Sequence, residues 1–348
     1  MKNWDVIVIG AGIIGLSLAR ELRKRSAAVL VLDRGMPGRE ASHAAAGMLA
    51  ASPGELPPPL LPLASVSFQL YPEFVHELEI ETGMNVDFRN NGALLLTRSP
   101  HRGVEPLRPS ELCELEPNVV DRGLTGVFLH EASVDPRALV SALLQACKHR
   151  GVDTSFGDGV NAVNLTDARV VGVRTEKTTF AAPIVINCAG AWAGQVLPCS
   201  FPTRPVKGQM LSLAMPTRDL IRHVIRAPEV YLVPRSDGRL LVGATIEEVG
   251  YDKRVDAATI QRMHHAALTL VPALERARLL EDWAGLRPAT PDSLPILGPS
   301  RIPGYFVATG HFRDGILLTP ISALAMAQII SGEPCAYRLE PFSPARFD

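Results

Sequence analysis

The sequence predicts an α/β fold in which a parallel-stranded domain is assembled from discontinuous segments and interrupted by an inserted β-rich antiparallel domain. Three observations carry this expectation. Short runs rich in β-branched residues, the signature of strands buried on both faces, occur near the start (W-D-V-I-V-I, 4–9), in the middle (P-I-V-I-N-C-A-G, 183–190) and late in the chain (Y-F-V-A-T, 305–309). Blocks of hairpin-like alternation separate them. Glycines close the buried runs where helices begin. On this pattern residues 1–85, 136–204 and 285–340 form the first domain, and residues 86–135 and 205–284 the second.

The first strand, 4–9, is short, apolar and closed by glycine. A helix from about Ile13 to Arg25 follows, with Leu16, Ala19 and Leu22 on one face. The run A-A-V-L-V-L-D ends a second buried strand at Asp33 and completes a βαβ unit. Residues 53–63, P-G-E-L-P-P-P-L-L-P-L, carry too many prolines for a regular element and are expected to form a loop or lid. N-G-A-L-L-L-T reads as a strand. A helix begins near Pro136 and ends at Gly151. Y-L-V-P-R-S-D-G-R-L-L-V-G-A-T gives two strands around a Ser-Asp-Gly turn. The strand Y-F-V-A-T and a helix G-I-L-L-T-P-I-S-A-L-A-M-A-Q-I-I complete the series.

Whole-chain properties narrow the function. The 348 residues are 47% hydrophobic and 20% charged with a formal net charge of −1, so no electrostatic case exists for nucleic acid or an anionic membrane. No apolar run approaches the ~18 residues of a membrane span, and no leader is evident. Five scattered cysteines without C-x-x-C or ligand spacing imply reduced thiols in a cytoplasm and no metal site.

The sharpest motif is G-A-G-I-I-G. Gly10, Gly12 and Gly15, with Ile13 and Ile14 between them, lie where the first strand becomes the first helix. The first glycine permits the turn, the second admits a pyrophosphate and the third allows close helix–strand packing. The diphosphate then rests on a helix N-terminus, where free N–H groups and the macrodipole favour an anion. Asp33, at the end of the second strand, suits ribose hydroxyls, with Arg34 beside it. The motif does not choose between FAD and NAD, but no catalytic His, Lys or Tyr–Lys arrangement of an NAD dehydrogenase is recognisable.

A different oddity is Arg287 in D-W-A-G-L-R-P-A-T-P-D-S-L-P-I-L-G, a cation among apolar residues, small residues and prolines. A guanidinium is costly to bury without an anion. Either Asp282 or Asp292 pairs with it, or it awaits an external carboxylate.

Several separated stretches resemble the glycine oxidase branch of the D-amino-acid oxidase superfamily: A-S-H-A-A-A-G-M-L, V-K-G-Q-M-L, Y-L-V-P-R-S-D-G-R-L-L-V-G-A-T, W-A-G-L-R-P-A-T-P-D and G-H-F-R-D-G-I-L-L-T-P, in that family's order from residue 5 to about 332. The resemblance implies a two-domain fold with FAD in a Rossmann-like domain, and oxidation of glycine, sarcosine or a small D-amino acid. Hydride would pass from the substrate α-carbon to flavin N5, giving an imine or 2-oxo acid and hydrogen peroxide from O2. It also implies a role in thiamine thiazole synthesis. By the same resemblance Arg287 binds the substrate carboxylate, Tyr231 assists it, and Arg313 is a second arginine near substrate. Ala41, Ser42, Ala46, Gly47 and Met48 contact the flavin, and Val160 makes a backbone contact on the adenine side. Gly190 and the segment His311, Phe312, Asp314, Gly315, Ile316 and Leu317 complete the cofactor contacts. The last helix, beginning at this segment, would direct its positive end at the flavin pyrimidine edge.

Simpler roles compete. Tyr231 lies on a period-2 strand and can face the core, Arg313 can organise local backbone, and His43 and His311 can be packing residues. Trp192 and Trp283 read as core, and Met48 as a gap-filler. Relatives with covalent flavin use a histidine or cysteine where this chain has Ala44 and Gly285, so the expected FAD is noncovalent. The stretch between Thr97 and Glu116 is shorter than in relatives. Two other functions remain open: a dehydrogenase of the same fold passing electrons to a quinone or carrier, and a flavin-binding protein without turnover. Homo-oligomer formation is compatible with the sequence, which does not fix it.

Overall fold

A computed structural model describes residues 3–52, 56–98 and 105–347. The first strand, β1 (Val6–Ile9), leads through the glycine turn into helix α1 (Ile13–Lys24) and back into β2 (Val29–Asp33). These strands occupy the middle of a six-stranded sheet in the order Ile296–Pro299, Tyr305–Thr309, Ile184–Asn187, β1, β2, Asp153–Phe156. All neighbours are parallel except the first pair. The order mixes segments from the start, middle and end of the chain, as the three buried runs predict. Buried on both faces, its strands need no alternation, and Ile7, Val8, Val31, Val185 and Ile186 are all inaccessible to solvent.

One face of this sheet carries α1, the helices Pro136–His149 and Thr319–Ile330, and the 22-residue helix Leu61–Thr82, packed as the largest apolar cluster. The other face is covered by a three-stranded antiparallel sheet through Val163, Val170 and Val173. The Pro136 helix starts where expected: its N-cap Asp135 accepts hydrogen bonds from the Arg137 and Ala138 N–H groups. None of the helices in the described residues is long and apolar enough to cross a membrane.

The second sheet has seven strands in the order Arg278–Ala289, Arg204–Ala214, Arg239–Gly243, Tyr231–Pro234, Val224–Arg226, Ala93–Thr97, Thr125–Leu129. All its pairs are antiparallel but Val224–Arg226 with Ala93–Thr97. The strand period of two sorts its side chains. Leu94, Leu96, Leu232 and Val242 face the helix Ala257–Leu270, whereas Ala93, Leu95, Tyr231, Val233 and Leu241 face Ala46 and Met48. The strand Arg278–Ala289 runs through the expected 284/285 domain division.

Two expectations need correction. Of the proline-rich stretch, residues 53–55 lie outside the described residues, but Pro58–Leu60 is a 3-10 turn and Leu61 begins the longest helix of the molecule. Prolines at first-turn positions cost nothing there, because those N–H groups have no intrahelical acceptor. The buried positions Leu63, Ser67, Tyr71, Phe74 and Leu78 keep helical spacing, a signal present in the sequence. The last helix begins at Thr319, not Gly315; residues 315–318 form a preceding turn.

Candidate active site

The glycine motif folds as its residue types require. Gly10 has φ +105°, and a Cβ there would stand 2.4 Å from the Cys188 carbonyl oxygen. A Cβ on Gly15 would stand 2.0 Å from the Gly10 carbonyl oxygen, so the helix approaches the strand as only glycine permits. The N–H groups of Gly12, Ile14 and Gly15 have no acceptor among the described residues, while the Ile13 N–H donates to Ser42 Oγ at 3.0 Å. Asp33 already accepts two backbone hydrogen bonds, from the Ala11 N–H at 2.7 Å and the Gly35 N–H at 2.8 Å. It therefore braces the turn through both carboxylate oxygens. Arg34 lies over the Trp192 ring at 3.5 Å, and Tyr251 packs on Trp192. Trp192 is thus a half-buried platform under a cation, a correction to its expected place in the core. Val160 opens the strand beside Gly159, whose Cβ would meet Arg34, and Gly190 has φ +56° with its carbonyl accepting from Thr309.

The segment 41–48 is fixed from three sides. Ala41–Ala44 is one helical turn, Ser42 is buried, and the Trp283 indole donates to the Ala44 carbonyl at 3.2 Å. Gly285 has no room for a Cβ, which would fall 2.2 Å from Ala44 Cβ. Gly47 has φ +74° and accepts the Val134 N–H, and the Ala46 carbonyl accepts from the buried guanidinium of Arg235. Burial lowers the Arg235 pKa to about 10, with Asp135 opposing the shift. His43 contacts Arg39, and burial with the Arg137 and Arg39 charges lowers its pKa. Met48 packs with Tyr231, Ala244 and Trp283 rather than in the main core.

The turn before the last helix is held as firmly. Phe312 has φ +48°, and its N–H donates to the Pro288 carbonyl at 2.9 Å, joining this turn to the residue after Arg287. Tyr71 and Ser67 on the long helix donate to the carbonyls of Ile316 and Leu317 at 2.5 and 2.6 Å. Asp314 closes the turn by accepting the Leu318 N–H. The N–H groups of Gly315, Ile316 and Leu317 have no acceptor among the described residues, and Ile316 and Leu317 are buried. His311 is buried against Ser322 Oγ, and burial lowers its pKa to about 3, so the ring is neutral. Arg313 is exposed on this turn.

Arg287 points across the seven-stranded sheet over Gly208, where a Cβ would meet its guanidinium at 2.3 Å. Its Nη1 donates to the carbonyls of Thr245 at 3.0 Å and Lys207 at 3.3 Å. Neither candidate acid claims it. Asp292 pairs with Arg346 at 2.7 Å, Asp282 is exposed, and Arg287 makes no ion pair among the described residues. Tyr231 crosses Gly243, where a Cβ would lie 2.6 Å from its hydroxyl. Burial raises the Tyr231 pKa while the adjacent Arg287 charge and hydrogen bond oppose the rise. Tyr231 and Arg287 are therefore neighbours on the face that carries Met48 and Ala46.

Two rows of N–H donors, at Gly12, Ile14 and Gly15 and at Gly315, Ile316 and Leu317, have no acceptor among the described residues and fit a dinucleotide diphosphate and the pyrimidine edge of a flavin respectively. Arginine and tyrosine beside them fit a small carboxylate. Sequence reasoning missed Ser67, Tyr71, Thr245, Glu247 and Arg235. The helical spacing could have found the first two; nothing local in S-D-G or I-E-E-V-G marks the others.

Comparisons with known proteins show what the chain as a whole is similar to. The profile of the FAD dependent oxidoreductase family (DAO) matches residues 5–329. The bifunctional protein ThiO/ThiG of Synechocystis sp. is 38% identical over 99% of this chain and 54% of its own length, so the chain spans about half the length of the curated bifunctional relatives it matches. The hydrogen cyanide synthase subunit HcnC of Pseudomonas aeruginosa is 31% identical over 99% of this chain and 97% of its own. The crystal structure of glycine oxidase from Geobacillus kaustophilus superimposes with a TM-score of 0.94 at 32% identity, covering 99% of both chains.

Proposed function

Because this chain belongs to the FAD-dependent oxidoreductase family, we propose that it oxidises a small amino acid (glycine, sarcosine or a small D-amino acid) to the imine with O2 as final acceptor. The observation that carries this reading is Arg287: a guanidinium with one nitrogen pinned by two carbonyls and no acid paired with it among the described residues. Its remaining donors suit the fork of a substrate carboxylate. Tyr231 adds a hydroxyl donor beside it, and Arg313 supplies a second cation from the neighbouring turn.

Gly12, Ile14, Gly15 and Asp33 would hold the diphosphate and ribose of FAD, with Arg34, Val160 and Gly190 around the adenosine end. Ala41, Ser42, Ala46, Gly47 and Met48 would line the ring, and the N–H groups of Gly315, Ile316 and Leu317 would meet its pyrimidine edge. Bound noncovalently, FAD supplies the acceptor for the α-carbon hydride. The protein's part is orientation: Arg287 and Tyr231 fix the carboxylate so that the α-carbon has one approach. His311, neutral and held by Ser322, carries no charge into the site. The division into residues 1–85, 136–204 and 285–340 against 86–135 and 205–284 would assign the cofactor contacts to the first unit and divide the substrate contacts, Arg287 and Arg313 in the first and Tyr231 in the second. The imine of glycine would serve thiamine thiazole synthesis in the cytoplasm.

Purified protein is expected to be yellow and to release FAD on denaturation. Under anaerobic conditions glycine, sarcosine, D-alanine and D-proline are tested for flavin bleaching, and each positive is tested with O2 and with an artificial acceptor. Peroxide formation supports the oxidase. Reduction that only the artificial acceptor reverses favours the dehydrogenase, cyanide from glycine favours the activity named in the HcnC relative, and no bleaching by any amine rejects the proposal. Arg287→Ala should raise the amino-acid KM at least about 30-fold, corresponding to ~2 kcal/mol of lost charge-assisted binding, with FAD retained. An unchanged KM would return Arg287 to a structural role.

A further inference from the structure

Behind Arg287 lies a polar cluster that neither the cofactor contacts nor the substrate contacts use. Glu247 Oε1 accepts from the Thr245 hydroxyl and from Gln209 Nε2 at 2.8 Å, and its Oε2 lies 3.5 Å from Lys207 Nζ. Gln209 and Lys207 are almost wholly buried. The Gln209 N–H in turn donates to Thr245 Oγ1 at 2.9 Å, so the Thr245 hydroxyl is held on both sides. Glu247 and Lys207 also exchange backbone hydrogen bonds of 2.9 Å in each direction. Thr245 and Lys207 are the two residues whose carbonyls fix Arg287 Nη1.

From this convergence we infer that Glu247 is a positioning residue: it holds the two carbonyls that aim the Arg287 guanidinium at a ligand carboxylate. Among the described residues the side chain makes no hydrogen bond or ion pair with Arg287 or with a cofactor-cradling residue, so its effect passes through Thr245 and Lys207. Desolvation works against its charge, but the hydrogen bonds from Thr245 and Gln209 and the Lys207 cation outweigh it and hold the carboxyl below its ordinary pKa. The acid is therefore ionised and accepts rather than donates. An anion behind an anion-binding arginine would by charge alone weaken ligand binding. Its presence there is explained by the orientation it enforces.

The inference rests on the reading of Arg287 as the carboxylate binder, and the test separates the two. Wild-type, Glu247→Ala, Glu247→Gln, Thr245→Val and Arg287→Ala holoenzymes are compared for glycine KM and for the Kd of acetate, read from the flavin absorption spectrum. Positioning predicts that Glu247→Ala and Thr245→Val weaken both ligands by about tenfold, a hydrogen-bond-sized effect, with flavin content unchanged. Glu247→Gln, which keeps an acceptor oxygen for Thr245, should recover most of the loss. Tighter binding in Glu247→Ala is the result of a purely electrostatic role and overturns the inference, as does unchanged binding while Arg287→Ala is impaired. Should Glu247→Ala fail to fold, Thr245→Val gives the same decision. If Arg287→Ala binds both ligands as wild type does, the reading of the site and the inference fall together.

Discussion

A missing side chain can be as informative as a present one, and the glycines around the site differ in what fills their space. At Gly208 the occupant is the Arg287 guanidinium, the far end of a flexible side chain, whereas at Gly15 it is the Gly10 backbone. The consequences of adding one methyl therefore diverge. Gly208→Ala should leave the fold and the yellow colour intact but displace Arg287, raising the amino-acid KM by about tenfold or more. Gly15→Ala cannot be relieved by a rotamer and should abolish flavin retention and lower the thermal midpoint. Steady-state kinetics with a flavin spectrum distinguishes the two, and a Gly208→Ala enzyme with wild-type KM would contradict the placement of the guanidinium. Arg287 stands out in the sequence because a cation in an apolar, proline-stiffened run has few ways to be stable. Glu247 does not, because a carboxylate in I-E-E-V-G looks like any solvated turn until Lys207 and Gln209 are brought against it from a strand some 40 residues earlier in the chain.

Among the elements, the helix Leu61–Thr82 determines the shape of the turn 315–318 although it contributes no expected cofactor contact. Its buried Tyr71 and Ser67 spend their hydroxyls on the Ile316 and Leu317 carbonyls, while the Gly315, Ile316 and Leu317 N–H groups have no acceptor among the described residues. Tyr71→Phe should cost about 1 kcal/mol of stability and weaken FAD binding several-fold, because the Ile316 carbonyl loses its partner while the ring packing against Phe74 and Phe88 remains. Equilibrium unfolding and FAD titration measure both effects; loss of stability with no change in FAD affinity would uncouple the helix from the turn. The glycine-turn helix and the Pro136 helix were legible because caps, glycines and periodicity agree. The long helix was hidden by the prolines ahead of it and in its first turn, where they do not break a helix; Pro72 lies in its interior and leaves the helical spacing of the buried residues intact. The start of the last helix was displaced for a different reason: Gly315–Leu318 carry helical composition, but the Ile316 and Leu317 carbonyls are captured by Tyr71 and Ser67.

Across the whole molecule, buried ionisable groups give stability a particular pH dependence. His311 titrates near 3 when folded and near its ordinary 6.5 when unfolded. Below pH 6.5 the unfolded chain therefore binds the proton that the folded chain refuses, so stability contributed by the neutral ring is full above 6.5 and falls as pH decreases. Carboxylates held low by cations, among them Glu81 near Arg150 and Arg20 and Asp292 near Arg346, lose their contribution only at more acidic pH, below their ordinary values of 4.5 and 3.8. In the interval from about 6.5 to 4.5 these acids stay silent, and beside His43, whose pKa is also lowered, the slope comes from His311. Replacing it with Gln should flatten the thermal midpoint across that interval, and an unchanged slope would assign the effect elsewhere. At this scale the fold class was legible because parallel strands buried on both faces cannot disguise their composition. The pairing of those strands was not, since sheet order depends on contacts between segments more than a hundred residues apart.

That order also constrains when the protein becomes complete during its synthesis. The strands Ile296–Pro299 and Tyr305–Thr309 take one flank of the six-stranded sheet, and the last helix packs on α1. A nascent chain that has displayed Gly10 through Asp33 on the ribosome still lacks the Gly315–Leu317 donors, the neighbouring strand and the helix that buries the first. The two rows of backbone donors are therefore first present together only after residue 317 has been made, about 300 residues after the glycine turn itself.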